Sequence, residues 1–269
     1  MLLRIAVLVA LGAVPALGQG IVLELRPRVG DTLRMRLDQE TEVVGTRSGG
    51  GALTVNTSVS LFSRAIVLGT DGPAAVILAV TDSVDVRSND QHALALAQQA
   101  RRSLEGRQVK LRLVPDGTIG PAEEERGVSR DVKNMMAIMP GSFPKTPIAV
   151  GDTWMREMPI PDSAQMNVPD GGSVKARFRL DSLGRGGELA YVSMRGTFQP
   201  ADSAQRGDAA AGSVSGTLVV NRKRGWLSES RFVIQMRATL PALARARPNA
   251  MQFRTKITQY MRVLGERRP

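Results

Sequence analysis

The residues able to do chemistry are few, and their spacing argues against catalysis. His92 is the only histidine, so a histidine base or ligand would have to be this residue. It falls in the first turn of an expected helix, at an exposed cap position that suits neither role. Glu123, Glu124 and Glu125 suggest a metal or a general acid, but adjacent helical positions do not face a common point. At a helix start they complement the positive end of the dipole instead. Ser142 and Lys145 have the spacing of a nucleophile and its lysine base, yet Pro144 opposes the helical turn that would join them. Gly49 to Gly51 could cradle a phosphate, but no helix opens after them. The chain has no cysteine, which excludes disulfides and thiolate metal sites. No catalytic residue, metal site or cofactor is therefore assigned, and hydrolase activity is a remote alternative.

Two other groups suit binding. A helix is expected from Pro121, whose missing N–H is harmless in a first turn, and Val132, Met135, Met136 and Met139 would form its apolar stripe before Pro140-Gly141 ends it. Methionine is adaptable packing material, so this stripe could line or lid a cleft for a lipid or another apolar ligand. The second group is basic. Between Arg222 and the end there are 12 basic residues against Glu229 and Glu266, whereas Gln19 to Asn221 holds 23 of each sign. Alternation puts Arg231 and Arg237 on one face of a strand and Phe232, Ile234 and Met236 on the other. In the last strand Arg254, Lys256, Tyr260 and Arg262 oppose Phe253, Ile257, Met261 and Val263. If the strands pair, Arg231, Arg237, Arg254, Lys256 and Arg262 form a basic stripe suited to an anionic envelope surface. Nucleic acid fits less well, because only Tyr260 could stack a base there.

The elements that position these residues are organised by a repeat. Val29-Gly30-Asp31-Thr32 recurs as Val150-Gly151-Asp152-Thr153, each a turn that launches a strand. A second shared phrase, Ser58-Val59 to Leu68-Gly69 against Ser173-Val174 to Leu183-Gly184, matches at a constant offset of 115, while the turns lie 121 apart. So long a period indicates a duplicated half-domain and not a solenoid. Strands are expected at 53–68, 74–87, 109–113, 213–221, 226–239 and 251–264, with a helix from Gln91 capped by Asn89-Asp90. Aromatic content is only 4%, so the core must be mostly aliphatic side chains and methionine. The fold class is mainly β: two duplicated antiparallel halves, in one continuous or two face-to-face sheets, with two helices of the first half packed on the sheet.

The first residues read as an address. Arg4 precedes an apolar run from Ile5 to Leu17 that is too short to span a bilayer as a helix, and Ala16 and Gly18 suit cleavage before Gln19. The expected division is a signal peptide over 1–18, an N-terminal half over 19–146 and a C-terminal half over 147–269. The product would be exported, periplasmic or secreted, and not lipidated, since no cysteine follows the run.

The phrases Pro147-Ile148-Ala149-Val150-Gly151-Asp152-Thr153-Trp154 and Gly216-Thr217-Leu218-Val219-Val220, with Gly225-Trp226-Leu227, resemble those of a group of uncharacterised exported bacterial proteins with two β halves. That resemblance implies no particular activity or site residue. In architecture alone the chain is also similar to periplasmic lipid and lipoprotein carriers, which implies a curved antiparallel sheet around an apolar cavity. The function expected is non-catalytic binding of a lipid or other apolar ligand in a cleft between sheet and helix. The alternative is an interaction module working through the basic C-terminal face.

Overall fold

The computed structural model describes residues 20–47, 51–122, 143–159, 173–199, 211–240 and 251–265. Eleven strands form one sheet: β1 (Thr32–Arg47), β2 (Ala52–Asp71), β3 (Ala74–Ser88), β4 (Gln108–Leu113), β5 (Ile119–Pro121), β6 (Thr153–Pro159), β7 (Ser173–Gly184), β8 (Leu189–Gln199), β9 (Ala211–Asn221), β10 (Trp226–Leu240) and β11 (Met251–Val263). Their order is β5-β4-β3-β2-β1-β11-β10-β9-β8-β7-β6, antiparallel throughout. Each half is a meander, and β11 is the seam that joins β10 of the second half to β1 of the first.

The two Val-Gly-Asp-Thr turns are built alike. Gly30 and Gly151 have φ of 89° and 97°, in the region where a side chain is strained. The Asp31 carboxylate accepts from the Arg28 N–H at 3.1 Å, and that of Asp152 from the Ala149 N–H at 2.8 Å. In the first copy Gly30 N–H donates to Val67 C=O at 2.9 Å and Val67 N–H to Asp31 C=O at 2.9 Å. In the second, Gly151 N–H donates to Leu180 C=O at 2.7 Å and Leu180 N–H to Asp152 C=O at 3.0 Å. A β-bulge follows each anchoring residue, between Val67 and Gly69 and between Leu180 and Ser182. Val67 therefore corresponds to Leu180, an offset of 113, which corrects the register read from the shared phrase. The offset of 115 applies beyond the hairpin, where a two-residue turn before Ala74 is matched by a four-residue turn before Leu189.

Alternation gives most strands an apolar and a polar face, although Ala74 to Val80 of β3 is apolar on both. The apolar face carries Leu33, Ala65, Ile77 and Leu113 from one half and Phe178, Leu180, Val192, Leu218 and Ile234 from the other, all buried in one cluster. Strands near opposite edges share that core, so the sheet curls with its apolar face inward. The bulges, with another between Leu227 and Glu229, supply local twist. Small residues let the inner face close. A Cβ on Gly216 would lie 2.3 Å from the Phe232 ring, and one on Gly212 would lie 2.5 Å from the Phe198 ring.

One end of the curl, the base, is closed by two extended segments. Ile21 pairs with Ile148, Leu25 N–H donates to Pro115 C=O at 2.8 Å, and Phe143 N–H donates to Asp116 C=O at 2.7 Å. The Arg156 guanidinium of edge strand β6 donates to Phe143 C=O at 2.8 Å, so the β4–β5 turn at one edge is tied to β6 at the other. Leu23, Leu25, Phe143 and Ile148 are all buried beneath the inner face.

The helix α1 (Gln91–Leu104) is capped by Asp90, which accepts from Ala93 N–H at 2.8 Å. β4 pairs with β3 only from Ala75 to Val80. α1 runs beside the remainder of β3 and returns the chain to Thr81, whose C=O accepts from Gly106 N–H at 2.9 Å. A 14-residue helix at ~1.5 Å per residue spans about the same length as the eight strand residues it covers. Leu94, Ala97 and Leu104 are half-buried on its inner side. α1 is the only α-helix among the described residues. The second helix, expected from Pro121, is corrected at its start. Pro121 ends β5, opposite Leu111, because the turn at Pro115-Asp116-Gly117 makes a hairpin that carries the chain into an edge strand, where proline is tolerated.

Gly225 (φ 62°) tests the closed base. Its Cβ would lie 2.3 Å from the Arg26 backbone oxygen. Gly225→Ala is expected to cost about 3 kcal/mol or more. Gly30→Ala, at φ 89° but with nothing within 4 Å, should cost only about 1–2 kcal/mol. Urea unfolding monitored by tryptophan fluorescence measures both, and equal losses would show that the N-terminal segment does not press on this turn.

Candidate binding site

Burial along the inner face changes from the base to the far end. Near the base Leu33, Val67, Leu180 and Val220 are almost wholly buried. Toward the far end Val43, Val55 and Val59 on β1 and β2, with Phe253 and Ile257 on β11, are only half-buried, and Leu53 is 68% exposed. Gln39, Thr41, Thr57 and Gln259 lie among them on the same face. The strands beyond β11 are more completely covered: Phe232, Ile234 and Met236 on the adjacent β10 are buried, and Trp154 on β6 stacks on Phe178 of β7 with centroids 5.5 Å apart. The far end thus offers apolar side chains that water still reaches, interrupted by a few amides and hydroxyls. Such a lining can take an apolar chain and hydrogen-bond a polar end.

Val132, Met135, Met136 and Met139, expected to line the cleft, lie outside the described residues, as do Glu123 to Glu125 and Ser142. Lys145 is exposed, and so is His92 on the first turn of α1. The lining of β1, β2 and β11 was legible only as ordinary strand alternation. What distinguishes Val43 and Val55 from Leu33 and Ala65 is their distance from the closed base.

The basic residues of the last two strands share one outer face. β10 and β11 pair, with Arg237 opposite Arg254, Gln235 opposite Lys256, Arg231 opposite Tyr260 and Glu229 opposite Arg262. Arg231, Arg237, Arg254 and Lys256 are exposed, and Arg262 is half-buried. On the other side of β11, Glu42 opposes Lys256 and Asp38 opposes Tyr260. Acidic residues of β1 thus border the stripe. The sequence reading missed its extension: Lys175, Arg177 and Arg179 on β7 and Arg195 on β8 lie exposed on the same outer face. The signal was present, since these three β7 cations alternate with Ala176, Phe178 and Leu180, all buried.

Asp38 is tightly held. Its carboxylate accepts from Ser60 Oγ at 2.6 Å and from Arg36 Nε at 2.9 Å, and Arg36 also lies over the Phe62 ring. Desolvation, the largest single influence, pushes the Asp38 pKa up. The hydrogen bonds from Arg36 and Ser60, with the charges of Arg36 and Arg262, together outweigh it and hold the group below its ordinary value of 3.8.

No protein-family model and no curated protein sequence matches the chain. Among solved structures, one titled for lipid–protein interactions in lipovitellin matches with a TM-score of 0.57 at 9% identity, covering 89% of this chain and 26% of that one. The chain therefore spans about a quarter of that protein, and the likeness is one of fold. OccK11 (OpdR) of Pseudomonas aeruginosa, at 10% identity, covers 91% of this chain and 100% of that one with a TM-score of 0.26. The COG4313 outer membrane channel from Pseudomonas putida F1, also at 10% identity, covers 89% and 97% with a TM-score of 0.22. Scores that low carry no argument about this fold. No helix among the described residues is long and apolar enough to cross a membrane.

A lowered carboxylate pKa stabilises the fold above the unfolded value, and that contribution is lost as pH falls through the folded one. Ser60→Ala should raise the folded pKa of Asp38. The stability difference between variant and parent should be complete above pH 3.8 and shrink as the pH is lowered further. Acid unfolding curves measure this, and a difference independent of pH would mean that Ser60 acts only by packing.

Proposed function

We propose that the protein is an exported, non-catalytic binding protein that holds a lipid or another apolar ligand against the far-end inner face of its curled sheet. The observation that carries this reading is the gradient of burial, from a sealed base to half-exposed Val43, Val55, Val59 and Ile257. Covering such side chains contributes roughly 1 kcal/mol each, so a chain-like ligand lying along several of them would be held without any specific polar contact. Gln39, Thr57 and Gln259 could hydrogen-bond a headgroup or carboxyl. The fold likeness to lipovitellin, whose structure is titled for lipid–protein interactions, supports the same reading. The short apolar run from Ile5 to Leu17 behind Arg4 supports export.

The test is native mass spectrometry of protein purified from cell envelopes, followed by titration with a dansyl-labelled undecanoate. Bound lipid, or saturable fluorescence enhancement, is expected. Val43 and Val55 face each other across β1 and β2 and are only half-buried, so Val43→Arg with Val55→Arg should abolish binding while the unfolding midpoint changes little. A ligand-free mass together with no response to the probe in the folded protein would overturn the proposal.

A further inference from the structure

We propose that the outer face of β7 to β11 is a docking surface for an anionic membrane. This inference does not depend on the inner-face reading: a chain that held no lipid inside would still carry it. It rests on how the charges are divided around the sheet. On the strands of the first half the outer face balances its charges, with Arg36 against Asp38, Arg64 against Asp82, Arg87 against Asp85 and Arg112 against Asp71, at 2.8 to 3.2 Å. On β7 to β11 the five cations of the C-terminal pair are joined by Lys175, Arg177, Arg179 and Arg195, and the only acids on those strands are Asp181 and Glu229. One face of five adjacent strands therefore carries nine basic side chains and two acidic ones.

The arrangement is also internally unfavourable. Arg177 stands directly opposite Arg195, and Arg237 directly opposite Arg254. Like charges so placed destabilise a sheet. Among the described residues none of these four has a carboxylate in ion-pair range, whereas in the one such opposition of β1 and β2, Arg34 against Arg64, the second arginine is paired with Asp82. Anions supplied from outside would relieve both oppositions.

The distribution selects the kind of anion. Strands lie ~4.8 Å apart and alternate side chains ~7 Å apart, so the cations are spread in two dimensions across five strands and do not form a track. Between them β9 presents only Ser213, Ser215 and Thr217 as exposed side chains at its centre, which add hydrogen-bond donors without adding height. A nucleic acid needs a linear groove and stacking platforms, and the aromatics on this face are Tyr191 and Tyr260, both half-buried. A layer of lipid phosphates matches a broad cationic face, with each basic residue near the surface adding to the attraction.

Cosedimentation of the full chain with phosphatidylcholine vesicles containing about one third phosphatidylglycerol tests this. Binding is expected with these vesicles and not with phosphatidylcholine alone. It should weaken at least about tenfold between roughly 0.05 and 0.3 M salt. Replacing Arg177, Arg195, Arg237 and Arg254 by Ser should abolish it, and should leave the fold intact because two like-charge oppositions are removed. Should that variant misfold, Arg177→Ser with Arg195→Ser, and Arg237→Ser with Arg254→Ser, each test one pair and should each weaken binding. A charge-matched variant with Arg34, Arg64, Arg87 and Arg112 replaced by Ser should still bind. Equal loss in the two four-site variants would reduce the effect to net charge and overturn the proposal. So would retention by double-stranded DNA or polygalacturonate without partition to the vesicles.

Discussion

A sheet that is apolar along one face of eleven strands must keep that face from water, and this requirement organises the molecule. Helices could cover it, but the only α-helix among the described residues lies alongside β3 and has no buried residue. The sheet instead covers itself by curling, and the curl has to be held. The holding is done at the base, where Ile21 and Ile148 pair and Phe143 links the β4–β5 turn to Arg156 of β6. Leu23 and Leu25 fill the space below. The Ile21–Ile148 pair and the Phe143 link to the β4–β5 turn join the two halves, so the closed end forms only once both are in place. The far end has no equivalent among the described residues, which is why burial declines toward Val43, Val55 and Leu53.

Duplication explains how such a sheet arises from one pattern. Each half begins with a glycine at positive φ, an aspartate that closes its own turn, and a residue of the next strand that returns two hydrogen bonds to that turn. A bulge follows at the same place in both. The halves then diverge on their outer faces, one with paired charges and the other basic. Their inner faces stay alike, because both must meet in one core. Among the described residues β11 has no counterpart in the first half, and it joins the two meanders into a single sheet.

Much of this was legible in the sequence, for local reasons. Strand alternation, the Asp90 cap and the Val-Gly-Asp-Thr turns depend on neighbouring residues, and the strand limits fall within a few residues of those expected. The outward placement of the β10 and β11 arginines followed from period two alone. The sheet order did not, since β1 meets β11 across the whole length of the chain. The register of the repeat was read two residues out in β2 because the hairpin that follows is two residues longer in the second half, so the shared phrase aligns only the strands beyond it. Pro121 was taken for a helix start because proline and a run of glutamates are also what a helix start requires, and only the hairpin from Leu113 to Ile119 distinguishes the two. The half-exposed lining was invisible for a different reason. Val43 and Leu33 look alike until the base is known to be sealed at one end and not the other.

An inner face that is dry at the base and reachable at the far end can be measured directly, because the chain has no native cysteine. Single cysteines at Val43 and at Ala65 lie on the same face of adjacent strands, one toward each end. Rates of reaction with a water-soluble maleimide under native conditions should be fast at position 43 and slow at position 65, and added fatty acid should slow only the first. Equal protection at both positions, or equal reactivity at both, would contradict a cleft that is closed at one end.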